Sequence, residues 1–181
     1  GGETPRYCYQ SLRKLPVEWG RVHIYFGDER CLPQSDAQRN DTMAHETLLR
    51  HVAIPPGNVH VIHAELGAQL AAKDYIEELK SPLDLVLLGI GEDGHTASLF
   101  PGNPATESTA NVVAVFNAPK PPPERISLGM GVLNAAREKL FLVAGAGKRD
   151  ALQRIAQGEA LPAARVTGAE WHIDRAACPE A

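Results

Sequence analysis

The sequence predicts an α/β domain in which a mostly parallel, doubly wound, Rossmann-like sheet carries helices on both faces. Short segments rich in Val, Leu and Ile alternate along the chain with segments of helical spacing. The run of Leu, Val and Ile in residues 85–90 fits a strand that is covered on both faces. Several predicted strands run into Gly-containing or charged loops, which in open parallel sheets gather at one ligand-binding edge.

We assign the predicted strands and helices from the spacing of apolar residues and from the Gly and Pro residues that end each segment. The predicted strands are Val22–Phe26, Val59–Ile62, Asp84–Ile90, Val112–Phe116, Arg125–Met130, Lys139–Ala144 and Glu170–Ile173. The predicted helices are Arg6–Lys14, Asp41–His51, Leu66–Leu79, His95–Phe100, Val132–Arg137 and Lys148–Ile155. Residues 1–181 form a single domain, since neither a repeat nor a linker divides them. Because a Gly-Gly loop needs a strand to hold it, we expect a helix and a strand upstream of Gly1.

Composition narrows the class of function. The formal net charge of −4 argues against a nucleic-acid-binding protein, which would present a basic stripe. A few convergent Arg and Lys residues would still suffice for a small anionic ligand. The three cysteines are widely spaced, with no Cys-x-x-Cys pair, so neither a disulfide scaffold nor a metal site is predicted. The cysteine usage favours a reduced, cytoplasmic setting, and no apolar run reaches membrane-spanning length. We expect a monomer or a weak homo-oligomer.

Candidate chemical groups follow three of the predicted strands. Gly27-Asp28-Glu29-Arg30 follows the first strand, Gly91-Glu92-Asp93-Gly94-His95 follows the third, and Gly145-Ala146-Gly147-Lys148 follows the sixth. We expect these loops to meet at one edge of the sheet. Gly-rich turns into helices leave backbone N–H groups free beside a positive dipole end, and such turns suit phosphate.

His95 is the candidate acid–base group. We expect it at a helix N-terminus, where the dipole disfavours imidazolium and leaves a neutral ring that accepts a proton near pH 7. His45, His51, His60 and His63 lack a carboxylate or Cys at ligand spacing, and we interpret them as structural or surface residues. Gly89-x-Gly91-x-x-Gly94 matches a dinucleotide fingerprint by letter, but Pro101 stops the segment that follows it.

Four segments resemble the 6-phosphogluconolactonases in order and spacing. They are Gly-Asp-Glu-Arg-Cys-Leu-Pro (27–33), Leu-Gly-Ile-Gly-Glu-Asp-Gly-His-Thr-Ala-Ser-Leu-Phe-Pro-Gly (88–102), Pro-Lys-Pro-Pro-Pro-Glu-Arg-Ile-Ser-Leu (119–128) and Gly-Ala-Gly-Lys (145–148). The opening Gly-Gly-Glu-Thr-Pro is similar to the family's phosphate loop, Gly-Gly-x-Thr-Pro. Glu3 and Arg39 depart from the family's commonest residues.

The resemblance implies hydrolysis of 6-phosphoglucono-1,5-lactone without a cofactor, on a fold shared with glucosamine-6-phosphate deaminase and ribose-5-phosphate isomerase. His95 is then the general base, with Asp93 or Glu29 orienting it. The phosphate would be held by Gly1, Gly2, Thr4, Arg30, Arg125 and Lys148. No Gly-x-Ser-x-Gly motif is present for an acyl-enzyme.

Two alternatives remain at the level of sequence. A sugar-phosphate deaminase or isomerase would share the fold, but deaminases usually have Asp-Glu-Tyr where this chain has Asp28-Glu29-Arg30. A regulatory sugar-phosphate-binding module would be expected to carry a helix-turn-helix or a basic face, and neither is evident in the sequence.

Overall fold

The computed structural model describes residues 2–179 as an α/β fold, which confirms the predicted class. Its strands are β1 (Ile24–Tyr25), β2 (Asp28–Arg30), β3 (Val59–His60), β4 (Leu85–Leu88), β5 (Val112–Val115), β6 (Arg125–Leu128), β7 (Glu138–Val143) and β8 (Glu170–Ile173). Its α-helices are α1 (Glu3–Leu12), α2 (Asn40–Thr47), α3 (Ala68–Glu78), α4 (Met130–Ala135) and α5 (Arg149–Ala156). The expected upstream helix and strand lie outside the described residues and stay a prediction.

Parallel pairing dominates two of the three sheets. Strands β4, β7 and β8 form one parallel sheet in that order, and β1 pairs in parallel with β3. The third sheet, in the order β2–β6–β5, is antiparallel. A Pro-rich connection returns the chain from β5 to β6 without a crossover helix, and such a return gives an antiparallel pair. Asp28–Arg30, predicted as a loop, is the strand that extends this sheet.

The strand β4 is covered less completely than its sequence predicts. Val86 and Leu88 are buried, whereas Leu85 is 51% and Leu87 37% exposed. The prediction of cover on both faces is therefore wrong for the described part of the chain. The alternation still directs one apolar face into the core, where it joins Phe141 of β7.

The segment His95–Phe100 is not a helix. It forms a tight turn closed by a bridge between Thr96 and Leu99, with Ala97 in the left-handed region at φ 48°. The backbone N–H of Ser98 donates to Ser127 Oγ instead of to a helical carbonyl. The buried polar groups of this segment bind two neighbouring strands and the residue that follows β4, and those bonds replace the helical pattern.

The helix α3 is fixed to the β1–β3 sheet by one buried phenol. Tyr75 Oη accepts from the backbone N–H of Phe26 at 2.7 Å and donates to a backbone carbonyl, with those of Phe26 and His60 at 3.2 and 3.4 Å. Burial raises the pKa of Tyr75 beyond its ordinary range, so the phenol stays protonated. No helix within residues 2–179 has the length and apolarity needed to cross a membrane.

Candidate active site

The loop after β4 holds His95 against Asp93. The Nδ1 atom of His95 lies 2.5 Å from Asp93 Oδ1, and the same oxygen accepts from the His95 backbone N–H at 3.2 Å. A carboxylate at Nδ1 fixes the proton there and leaves the lone pair on Nε2. The pair is therefore arranged to accept a proton at Nε2, and Asp93 can stabilise the imidazolium that results.

Burial lowers the pKa of His95 below its ordinary value. The hydrogen bond and charge of Asp93 act in the opposite direction, as does the charge of Asp28, and Lys120 adds to the lowering. The ring is thus neutral near pH 7, as expected, but the helix dipole is not the cause. Desolvation replaces it, because His95 does not begin a helix.

Gly91 is required for the His95–Asp93 contact. A Cβ atom on Gly91 would lie 2.0 Å from His95 Nδ1 and 2.6 Å from Asp93 Oδ1. Gly94 has φ 84°, a left-handed conformation that favours glycine, and its Cβ position is filled by Leu161. The glycines of this loop therefore make room for the Asp93–His95 contact and for the turn.

An aromatic ring lies between His95 and Arg125. The rings of His95 and Phe100 lie 4.5 Å apart between centroids, and the Arg125 guanidinium carbon stands 5.5 Å from the centre of the Phe100 ring. Arg125 pairs in register with Arg30 across β6 and β2. Arg125 thus lies beside the ring that contacts His95 and opposite Arg30 on the neighbouring strand.

The two arginines differ in how much of each is available to a ligand. Arg125 is buried, and its Nε and Nη2 atoms donate to the carbonyl groups of Pro122, Lys120 and Pro121. Burial lowers its pKa, although Asp28 opposes that effect. Arg30 is only half-buried and donates through Nη1 to the Gln38 carbonyl. Arg30 is therefore the more accessible of the two for an anion.

Glu29 does not orient His95. Its carboxylate is fully buried and accepts backbone N–H groups of Arg30, Asn40 and Asp41 at 2.8–2.9 Å. It therefore caps the start of α2. Burial raises the pKa of Glu29 to about 7, against the opposing effect of those three donors. The carboxylate beside His95 is that of Asp93.

Asp28 is a member of the site that the sequence places at the edge without giving it a role. Its Oδ2 atom accepts from Ser98 Oγ at 2.6 Å, and its Oδ1 atom lies 3.1 Å from Asn40 Nδ2. Its negative charge raises the pKa of His95, against the larger effect of burial. Asp28 thereby links the strand β2 to the turn that follows His95.

The predicted phosphate-binding residues Lys148 and Arg30 do not contact each other directly. Lys148 ends a 3-10 turn, Ala146–Lys148, and its ammonium makes no ion pair or hydrogen bond within residues 2–179. The Cβ position of Gly147 lies 3.4 Å from Glu92 Oε1, and Glu92 pairs with Lys120 at 3.8 Å. The Lys148 loop is therefore adjacent to the His95 loop, but no direct contact joins Lys148 to Arg30.

The N-terminal part of the predicted phosphate site is only partly described. Gly2 has φ 100° and caps α1, and Thr4 lies in the first turn of that helix. Thr4 lines a cavity of about 350 Å³ with Val143 and Asp174, and Asp174 accepts from the Gly145 backbone N–H. Thr4 and the Gly145 loop are thus neighbours. Gly1 lies outside the described residues.

Arg39 anchors a buried ionic network that sequence reasoning missed. The residue is 2% exposed, and its Nε and Nη2 atoms bind both carboxylate oxygens of Asp41 at 3.0 and 2.7 Å. Its Nη1 atom donates to Glu65 at 2.8 Å, and Glu29 lies 4.0 Å from Nε. Burial opposes the ionisation of Glu65, but the hydrogen bonds to it, with Arg39's first among them, bring its pKa to about 2.

Comparison with known proteins identifies the family. The family model for glucosamine-6-phosphate isomerases/6-phosphogluconolactonase matches residues 1–173. The 6-phosphogluconolactonase of Mycobacterium tuberculosis is 40% identical over 188 residues, covering 92% of this chain and 76% of the relative. The 6-phosphogluconolactonase of Homo sapiens is 38% identical over 178 residues, covering 90% and 69% respectively.

Solved structures agree with this result. The 6-phosphogluconolactonase of Thermotoga maritima aligns with TM-score 0.89 and 32% identity, covering 96% of this chain and 82% of that one. A monomeric glucosamine-6-phosphate deaminase aligns with TM-score 0.85 at 21% identity, covering 98% and 84%, and that likeness concerns the fold alone. The chain therefore belongs to the glucosamine-6-phosphate isomerase/6-phosphogluconolactonase family.

Proposed function

We propose that this chain hydrolyses 6-phospho-D-glucono-1,5-lactone to 6-phospho-D-gluconate, with His95 as the general base, in the oxidative pentose phosphate pathway. The observation that carries the proposal is the Asp93–His95 pair, which leaves a neutral Nε2 atom ready to accept a proton. The names of the relatives from Mycobacterium tuberculosis and Homo sapiens support the same activity.

The hydrolysis needs one proton removed and one returned. Water attacks the lactone carbonyl carbon while His95 Nε2 takes a proton from it, and the carbonyl oxygen becomes an oxyanion. When the tetrahedral intermediate collapses, the bond from C1 to the ring oxygen breaks and His95 returns the proton to that oxygen. Asp93 stabilises the imidazolium between the two steps. Lys120 or a backbone N–H of the loops provides positive potential for the oxyanion.

The substrate phosphate is held by Arg30 and Lys148 in this proposal, with Gly1, Gly2 and Thr4 contributing backbone donors. Arg125 supports this group by holding the 120–122 loop, and its Nη1 atom remains for a phosphate contact. Water is the only co-reactant. We further propose that the protein is cytoplasmic and is a monomer or a weak homo-oligomer. One plant relative is named chloroplastic.

The activity is tested with freshly prepared 6-phosphogluconolactone at neutral pH. We expect the protein to accelerate acid release well above the spontaneous rate, and to release no ammonia from glucosamine 6-phosphate. The ammonia assay separates the lactonase from a deaminase that uses the same fold. Ammonia release, with lactone hydrolysis left at the spontaneous rate, would assign the chain to the deaminase branch.

Replacing Arg30 or Lys148 with Ala should raise KM about 10- to 100-fold with a smaller change in kcat. A charge-assisted hydrogen bond contributes about 1.5–3 kcal/mol, and the phosphate is bound in both the ground state and the transition state. The measurement is steady-state lactone hydrolysis together with the Kd of 6-phosphogluconate.

Arg137→Ala is the matched control for these two variants. Arg137 forms an exposed ion pair with Asp84, which precedes β4 at the end opposite the His95 loop. Its loss should leave KM unchanged. If Arg30→Ala and Lys148→Ala both bind 6-phosphogluconate as tightly as the parent, the phosphate site lies elsewhere.

A further inference from the structure

Two histidines meet on the β1–β3 sheet, outside the site described above. Tyr25 of β1 pairs in register with His60 of β3. Because side chains alternate along a strand, His23 shares a face with Tyr25. His60 therefore lies beside both residues, and Glu78, the last residue of α3, reaches it from the helix.

The ring nitrogens of this cluster are closely placed. His23 Nδ1 lies 3.0 Å from His60 Nε2, and His60 Nδ1 lies 3.2 Å from Glu78 Oε2. The Tyr25 ring stacks on His60 with centroids 4.2 Å apart and planes 4° from parallel. The His60 ring is thus held by a carboxylate on one nitrogen and by an aromatic ring on one face.

We propose that His23 Nδ1 and His60 Nε2 are two ligands of one divalent cation of the Zn²⁺, Ni²⁺ or Cu²⁺ class, with Glu78 orienting His60. Two nitrogens at about 2.0–2.1 Å from a tetrahedral Zn²⁺ stand about 3.3 Å apart, close to the observed spacing. A metal-binding His usually donates its other ring N–H to a carboxylate, and Glu78 occupies that position. Imidazole nitrogen is a preferred ligand of these cations.

Proton balance allows the cation to enter without a change in the charge of either ring. His60 keeps its proton on Nδ1 toward Glu78, so that Nε2 has a lone pair. The hydrogen bond between the rings then requires the proton of His23 on Nδ1. When the cation binds, His23 becomes the Nε2–H tautomer and presents the lone pair of Nδ1 to the metal.

Two protein ligands make this an open and exchangeable site. No group of three or more His, Cys, Asp or Glu side chains within residues 2–179 is arranged to hold a metal ion. Water would therefore complete the coordination. His60 has no carboxylate at ligand spacing along the sequence, but the structure gives it Glu78 as a partner. Glu78 and His23 are remote in sequence and reach His60 only through β1–β3 pairing and the end of α3.

The test is isothermal titration of the protein with ZnCl₂, with variants that separate this pair from the other histidines. We expect His23→Gln and His60→Gln each to lose one zinc equivalent, and Glu78→Gln to bind that equivalent about 10- to 100-fold more weakly. His172→Gln is the matched control, since His172 bonds to Glu170 at 2.8 Å but has no second histidine beside it. That variant should retain the equivalent.

A crystal soaked in ZnCl₂ gives a second measurement that does not depend on the variants folding. The anomalous density of zinc should lie between His23 Nδ1 and His60 Nε2. Zinc found only at His95 and Asp93 would overturn the proposal, as would a stoichiometry that His60→Gln leaves unchanged or an affinity that Glu78→Gln leaves unchanged.

Discussion

Replacing His95 with Asn should lower kcat for the lactone by about two to four decades, the usual contribution of a positioned general base. Asn is polar and similar in reach, so the turn closed by Thr96 and Leu99 should persist. The phosphate contacts also remain, so KM should change little. Steady-state rates together with the Tm of each protein measure this effect.

The pH profile distinguishes a base from a structural histidine. In the parent, kcat should fall as the pH drops through the pKa of His95, because imidazolium cannot accept a proton. Burial lowers that pKa, so the fall should occur at a lower pH than for an ordinary histidine. The residual activity of His95→Asn should lack this fall.

Asp93→Asn supplies an independent check on the same mechanism. The carboxylate raises the pKa of His95, so its removal should move the acid limb to lower pH. The rate should also fall by roughly two decades or more, since the ring loses the group that fixes its tautomer. The matched control is the exposed His45, whose replacement by Asn should change neither kcat nor the profile. Turnover of folded His95→Asn within threefold of the parent would remove His95 from the mechanism.

The sequence predicts the location of the site better than it predicts the local backbone. Asp93 and His95 lie in a loop that follows a strand. Only one residue separates them, so their contact depends on the conformation of a single turn. The helix predicted for His95–Phe100 does not form because Thr96 bonds to the Gly89 carbonyl and Ser98 bonds to Ser127 of β6. Those partners are set by tertiary structure and are invisible to local periodicity.

The roles of charged residues are harder to predict than their positions. Glu29 and Asp93 both follow strands, and only the structure shows that the Glu29 carboxylate caps α2. Burial of the Glu29 and Arg39 side chains depends on how α2 packs on β2. A single sequence does not encode that packing as a pattern, so Arg39 shows only as a departure from the family's usual residue.

Replacing Arg39 with Met should destabilise the protein by about 3–5 kcal/mol, because removal of one partner leaves buried carboxylates uncompensated. The Glu29 side chain is as inaccessible as that of Arg39, and those of Asp41 and Glu65 are largely covered. Met fills much of the volume of Arg39. The loss of stability therefore measures the contribution of the Arg39 charge and its hydrogen bonds, and not the cost of a cavity. Urea unfolding at neutral pH measures the difference.

The exposed pair Arg21–Glu18 gives the matched control for this variant. Its side chains are 84% and 79% exposed, and Arg21→Met should change the free energy of unfolding by at most about 0.5 kcal/mol. Arg39→Lys should fall between the two, since Lys keeps the charge but cannot bind both oxygens of Asp41 at once.

The pH dependence of the Arg39→Met defect follows from Glu65. The pKa of Glu65 is about 2 in the folded protein and near 4.5 when unfolded. The ionised carboxylate therefore stabilises the fold above about pH 4.5, and this stabilisation is lost as the pH falls toward 2. In Arg39→Met the folded pKa of Glu65 should rise, so the two proteins should converge in stability over this window. A destabilisation below about 1 kcal/mol at neutral pH would show that the Arg39 network adds little to folding. A gap that stays constant down to pH 2 would show instead that Arg39 does not stabilise the fold through the ionised Glu65.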